Sequence, residues 1–103
     1  MTKTKLKALT GPEIEKSLPE LHGWRYTRGA LRCEFKFETF KKALQFVTKV
    51  AALAESADHH PDIDIRFNVV RLALSTHDVS GVSARDFSLA KIIDGQSIAR
   101  SAT

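Results

Sequence analysis

The chain has 103 residues, of which 43% are hydrophobic and 27% charged, and this composition is typical of a globular domain. Its 16 Lys and Arg outnumber its 12 Asp and Glu, but they are scattered, which argues against a nucleic-acid partner. The single cysteine excludes an internal disulfide, no run of about eighteen apolar residues could span a membrane, and no secretory signal is visible. We therefore expect one cytoplasmic domain over residues 1–103, with loose ends at residues 1–9 and 97–103.

The N-terminal part predicts a short helix followed by a β-hairpin. Thr10 and Glu13 have the spacing of a capping box, so a helix should begin there. Residues 24–26 and 31–37 then read as two strands. The second strand alternates apolar and charged side chains, which is typical of an antiparallel sheet with one covered face.

A long helix and a second hairpin follow. Apolar residues recur at helical spacing over residues 40–57, so this segment should lie across the sheet. Alternating apolar residues then change parity after residues 68–69. This change predicts a hairpin with those two residues as its loop and with Phe67 opposite Val70.

The chain closes with a loop and a third helix, for which Ser83 and Asp86 have the spacing of a second capping box. The predicted order is α-β-β-α-β-β-α. It corresponds to an α+β fold in which a four-stranded antiparallel sheet carries helices packed on one face.

Three of the four histidines lie at the open end of the second predicted hairpin. His59 and His60 precede its first strand and His77 follows its second, and the predicted register places His60 opposite His77. Imidazole exchanges a proton near neutral pH, so this cluster indicates proton-transfer chemistry. A metal site built from these histidines and a carboxylate is an alternative, but the spacing matches no common zinc pattern. No phosphate loop or activated nucleophile is found, so neither a cofactor nor a covalent step is expected.

The carboxylates near these histidines have competing interpretations. Glu55 and Asp58 fall in the last turn of the long helix, where the macrodipole disfavours negative charge by a few tenths to about 1 kcal/mol. Orienting a histidine would give them a role. Asp86 is accounted for equally well by helix capping alone.

Together these residues resemble the signature of the pterin-4a-carbinolamine dehydratases, and the resemblance covers nearly the whole chain. Its elements are Glu55, the triplet His59-His60-Pro61, Phe67, His77 and Asp86, supported by Ser75-Thr76 and Gly81-Val82-Ser83. Two positions depart from the family pattern. Ile63 stands where animal members often have tryptophan, and Phe67 stands where tyrosine is common.

The resemblance implies a hydro-lyase that dehydrates 4a-hydroxytetrahydropterin, of the 4a-hydroxytetrahydrobiopterin type, and so recycles the cofactor of aromatic amino acid hydroxylases. His59 and His77 would then act as acid and base, His60 would bind the substrate, and Glu55 would orient a histidine. The substrate-binding residues expected on this basis are Asp58, Pro61, Ser75, Thr76 and Asp86. A homodimer or homotetramer is also implied.

Two other functions remain open. The chain could be a non-enzymatic dimerising module that binds a transcription factor or an aromatic amino acid hydroxylase. It could also act on a different pterin or heterocycle, such as a molybdenum-cofactor intermediate. The intact set of three histidines favours catalysis, because a scaffold needs no imidazole cluster.

Overall fold

The computed structural model describes residues 6–96, and its elements follow the predicted order. The helices and strands are α1 (Gly11–Ser17), β1 (Arg25–Thr27), β2 (Ala30–Lys36), α2 (Phe40–Ala57), β3 (Asp62–Arg66), β4 (Val69–Leu74) and α3 (Ala84–Asp94), with 3-10 turns at Leu18–Glu20 and His77–Val79. The α+β prediction is therefore confirmed. Within residues 6–96, none of the helices is long and apolar enough to cross a membrane.

Of the predicted loose ends, residues 1–5 and 97–103 lie outside the described part of the chain. Just before α1, the Leu9 N–H donates to the Val82 carbonyl at 2.8 Å. The predicted capping box is present, because the Thr10 N–H donates to a Glu13 carboxylate oxygen at 2.8 Å and the Glu13 N–H donates to the Thr10 hydroxyl at 3.3 Å. These bonds satisfy donors that a helix start leaves free.

The sheet has the strand order β1-β2-β4-β3, with every pair antiparallel. One face is apolar, and α2 packs over it through Phe46, whose ring lies 4.6 Å from that of Phe35 and 5.0 Å from that of Phe37, measured between centroids. The buried side chains of this face and of α2 are Leu31, Cys33, Phe35, Val70, Leu72, Leu74, Ala43, Phe46, Val50 and Ala54. Burying each large one stabilises the fold by about 1.5–3 kcal/mol. The predicted covered face is confirmed, including Cys33.

The predicted register of the second hairpin is wrong by two residues. Phe67 and Asn68 form the turn, and Ile65 rather than Phe67 pairs with Val70. The reason is a contact distant in sequence: Asn68 donates its side-chain amide to the Phe37 carbonyl at 2.7 Å and accepts the Phe37 N–H at 2.9 Å. Phe67 is left with a φ of 54° and is 71% exposed. The apolar face is unchanged because a shift of two preserves parity.

Candidate active site

The two histidine segments meet at one buried carboxylate, that of Asp86. Its Oδ1 lies 2.5 Å from Nε2 of His59, and its Oδ2 accepts the Thr76 hydroxyl at 2.8 Å and the Ser83 N–H at 2.9 Å. The Asp86 side chain is fully buried and His59 is only 8% exposed. A buried carboxylate needs such donors, because an unpaired charge is costly to desolvate.

The hydrogen bonds around Asp86 run in one direction. Thr76 donates its hydroxyl hydrogen to Asp86, so in the 2.7 Å contact between the two hydroxyls Ser83 donates to Thr76. Ser83 Oγ also accepts the Arg85 N–H at 3.2 Å. An ionised Asp86 only accepts hydrogen bonds, so in that state Nε2 of His59 carries the proton between them. Aligned bonds of this kind strengthen one another.

The other ring nitrogen of His59, Nδ1, forms no hydrogen bond with any of residues 6–96. Within residues 6–96, no buried side-chain nitrogen or oxygen lacks a hydrogen-bond partner, so Nδ1 is reached by solvent. His59 therefore presents one nitrogen to the interior and one, with a free lone pair, to the outside. This is the arrangement that a proton acceptor at the surface of a pocket requires.

Local sequence explains how Asp86 reaches this position. Asp86 is the third residue of α3, and Ser83 caps the helix with the predicted capping box. Such a cap contributes about 1 kcal/mol to stability. The same carboxylate also contacts His59, so the capping interpretation and the site interpretation of Asp86 are compatible.

His60 and Glu55 form the exposed half of the cluster. Nε2 of His60 lies 2.5 Å from Oε2 of Glu55, and the two side chains are 56% and 76% exposed. An exposed pair of this kind stabilises the fold by no more than about 1 kcal/mol. Its effect is to orient the imidazole, and the histidine that Glu55 contacts is His60.

His77 begins the 3-10 turn that follows β4 and is exposed. Thr76, immediately before it, donates its N–H to the Gly81 carbonyl at 2.7 Å. The predicted alignment of His60 with His77 fails with the register. Continued beyond the strands, the observed pairing aligns His60 with Ser75. The segments are instead joined through Asp86.

The remaining predicted residues surround this end of the hairpin. Asp58 ends α2 in the left-handed conformation with a φ of 50° and is exposed. Pro61 follows His60 and Ser75 lies two residues before His77, and both are half-buried. Ile63, at the position often held by tryptophan, is 38% exposed on β3, so no aromatic ring stands there.

Arg85 was not predicted as part of this region. Its Nη2 donates to the carbonyls of Ala57 at 3.3 Å and Asp58 at 3.1 Å, the two residues that precede His59. The sequence shows Arg85 beside the aspartate of the capping box. It does not show that the guanidinium binds the end of α2, because this contact depends on how α3 packs against α2.

Two concavities lie on the surface of the domain, one on the uncovered sheet face and one beside His59. A concavity of about 1390 Å³ on the uncovered sheet face is lined by charged residues such as Arg32 and Arg71 but includes none of the three clustered histidines. A smaller depression of about 240 Å³ borders His59 and Arg85. In the part of the chain that the structure describes, no group of three or more His, Cys, Asp or Glu side chains could hold a metal ion.

The family model for pterin 4 alpha carbinolamine dehydratase matches residues 7–96. A Mycolicibacterium vanbaalenii protein that carries the name pterin-4-alpha-carbinolamine dehydratase is 43% identical over 90 residues, which cover 87% of this chain and 97% of the relative. A Roseiflexus castenholzii protein of the same name is 49% identical over 86 residues, covering 84% and 92%.

Two solved structures are similar as well. A transcriptional coactivator/pterin dehydratase from Brucella melitensis superposes with a TM-score of 0.81 at 34% identity, covering 86% of this chain and 100% of that one. A pterin dehydratase-like protein described as a RuBisCO assembly factor in the alpha-carboxysome gives a TM-score of 0.60 at 25% identity, covering 71% and 87%. From the family match and these relatives, the chain belongs to the pterin-4a-carbinolamine dehydratase family, a family of hydro-lyases.

Proposed function

We propose that this protein dehydrates a 4a-hydroxytetrahydropterin, of the 4a-hydroxytetrahydrobiopterin type, to the quinonoid dihydropterin and water. Family membership supports the reaction class. The observation that carries the proposal is the bond of His59 to the buried Asp86 carboxylate, which also accepts the hydroxyl of Thr76 next to His77, with one nitrogen of His59 left open. The biological role would be to recycle the cofactor of aromatic amino acid hydroxylases.

The reaction needs two proton transfers and no redox step. The hydroxyl on C4a gains a proton and leaves as water, N5 loses its proton, and the electron pair left on N5 forms the C4a=N5 double bond. His59 and His77 would serve as acid and base, in an order that the geometry leaves open. Each positioned group contributes about 10²–10⁴-fold to the rate.

The remaining side chains would bind and orient the pterin. His60, held by Glu55, would hydrogen-bond the hydroxyl or the ring, and Asp58, Pro61 and Ser75 border the same end of the hairpin. Thr76 has a different role, because its hydroxyl is committed to Asp86 and its N–H and carbonyl both bond to Gly81. It would position its neighbours and leave the ring edge to Ser75.

The test is ultraviolet stopped-flow absorbance on freshly prepared 4a-hydroxytetrahydropterin, with and without catalytic amounts of protein. Wild type should accelerate loss of the carbinolamine, and the joint His59→Ala and His77→Ala replacement should abolish the acceleration while the protein stays folded. His22→Ala is the matched control, because His22 is exposed and lies outside the cluster. No acceleration by wild type over the spontaneous reaction would contradict the proposal.

We also propose a homodimer formed through β3, one of the two edge strands of the sheet. Antiparallel pairing of two copies about Asp64 would place Asp62 against Arg66 of the second copy and Ile63 against Ile65, and the two facing Asp64 carboxylates would be its one unfavourable pair. Ile63→Lys should shift the mass measured by light scattering toward the monomer. An unchanged mass would contradict pairing through this edge.

A partner-binding role is the second candidate function, because one similar structure is that of a transcriptional coactivator/pterin dehydratase and another is that of a RuBisCO assembly factor. It predicts that a histidine-less variant still captures a transcription factor or an aromatic amino acid hydroxylase. Capture that requires the histidines, or no capture by wild type, would contradict this second role.

A further inference from the structure

Arg85 holds the end of α2 from the first turn of α3. Its Nη2 donates to the carbonyls of Ala57 and Asp58 at 3.3 and 3.1 Å, while its own backbone N–H donates to Ser83 Oγ. The last carbonyls of a helix have no N–H donor within the helix to bond with. In addition, the negative end of the helix dipole attracts a cation. Both features favour a guanidinium at this point.

The turn that Arg85 holds ends α2 in the left-handed conformation. Asp58 has a φ of 50°, which aspartate, asparagine and glycine adopt more readily than other residues. Its N–H bonds back to Ala54 and Glu55, and the next N–H, that of His59, bonds to the Ala54 carbonyl at 3.1 Å. The direction in which the chain leaves α2 therefore depends on this turn, and both adjacent histidines follow it.

Arg85 and Asp86 are consecutive, and they hold His59 in two different ways. Asp86 binds the imidazole at Nε2, and Arg85 binds the backbone carbonyl of the residue before it. We propose that Arg85 is a positioning residue for the dehydration: it fixes the backbone from which His59 and His60 project, without touching the substrate. The proposal rests on the proposed function of the histidine site.

A merely structural role for Arg85 has a different consequence. If the guanidinium only joined α2 to α3, its loss would lower the free energy of unfolding but would leave kcat unchanged for the molecules that remain folded. A positioning role lowers kcat of the folded protein, because small displacements of catalytic groups cost about tenfold to a hundredfold in rate. KM should rise as well, because His60 and Asp58, to which the proposed function assigns substrate binding, lie on the same backbone; the loss of kcat is therefore the deciding measurement.

The experiment compares wild type, Arg85→Met, Arg85→Lys and Lys91→Met. Methionine keeps much of the length of the arginine and removes its donors, whereas lysine keeps the charge and a donor without the planar fork. Lys91 is the matched control, because it is an exposed cation on the same helix that pairs with Glu20. The measurements are kcat and KM for carbinolamine loss, urea unfolding, and nitrogen-15 NMR signals of the histidine rings.

Arg85→Met should lower kcat about tenfold to a hundredfold, and should shift the ring signals of His59. Arg85→Lys should recover part of kcat, and Lys91→Met should behave as wild type. Wild-type kcat in folded Arg85→Met would overturn the proposal. If Arg85→Met does not fold, Arg85→Gln replaces it under the same criterion.

Failure of the proposed function is distinguishable from failure of this inference. If wild type does not accelerate dehydration, the proposed function is wrong, and the NMR signals alone decide the role of Arg85. A shift of the His59 ring signals in Arg85→Met, absent from Lys91→Met, would then support positioning. Unchanged signals would overturn it.

Discussion

The imidazole of His59 and the carboxylate of Asp86 meet at 2.5 Å across 27 positions of sequence. The contact joins the end of α2 to the start of α3, and Thr76 extends it to the segment that carries His77. One carboxylate thereby caps a helix, fixes an imidazole and links the two histidine segments.

Asp86→Asn should lower turnover by about 10²–10⁴-fold while α3 keeps its cap. The amide oxygen can still accept the Ser83 N–H, but the amide NH₂ would face His59 with a second donor. Nε2 of His59 would then have to accept and Nδ1 to carry the proton, so the open nitrogen changes from acceptor to donor. Steady-state turnover and thermal unfolding measure the two effects separately.

Asp94→Asn is the matched control, because Asp94 is a carboxylate on the same helix whose oxygens bind the Trp24 ring N–H and the His22 N–H. It should leave turnover within about twofold of wild type. Equal turnover in Asp86→Asn and Asp94→Asn would show that the bond to His59 has no catalytic consequence.

Phe67→Asn should stabilise the protein by on the order of 1 kcal/mol, because asparagine adopts a positive φ more readily than phenylalanine. Phe67 has a φ of 54° and is 71% exposed, so removing its ring costs little packing. Urea unfolding gives the comparison. Phe67→Ala removes the ring but keeps the conformational cost, so it should bring no comparable gain; a gain as large as that of asparagine would refute the explanation.

The capping box of α1 predicts a pH dependence of stability. The backbone N–H of Thr10, and then its hydroxyl, hold the pKa of Glu13 below its ordinary value of 4.5. Because the carboxyl binds its proton more weakly in the folded state, its contribution is complete above pH 4.5 and is lost as the pH falls through the lower folded value. Acid should therefore remove this part of the stability.

Glu13→Gln tests this prediction through urea unfolding near neutral pH and at about pH 3. The variant should be less stable than wild type at neutral pH, and the difference should shrink in acid. Glu15→Gln, at an exposed glutamate of the same helix, should show no such pH-dependent difference. A constant difference for Glu13→Gln at both pH values would contradict a role for its ionised form.

Local sequence was sufficient for most of the fold. The bounds of α2 were predicted as residues 40–57 because helical periodicity is a property of the segment itself, and Thr39 supplies the cap. The register of the second hairpin was missed because its turn depends on bonds between Asn68 and Phe37, 31 positions apart. Turn preferences cannot reveal such a contact.

The site was predictable to a similar extent. The histidines and Glu55 stood out by residue type and spacing, and Asp86 was found through the family resemblance and its capping position. Neither the route from His59 to Thr76 through one carboxylate nor the contact of Arg85 with the end of α2 could be predicted. Both depend on the packing of α3 against its neighbours.

The measurement that tests the central claim most directly is the rate of 4a-hydroxytetrahydropterin loss with the three single variants His59→Ala, His60→Ala and His77→Ala, each verified as folded. The account predicts that wild type accelerates the reaction. It also predicts that His59→Ala and His77→Ala each lose at least about a hundredfold in turnover, because each removes a proton-transfer group. Unchanged turnover in all three variants would contradict histidine acid–base catalysis at this site.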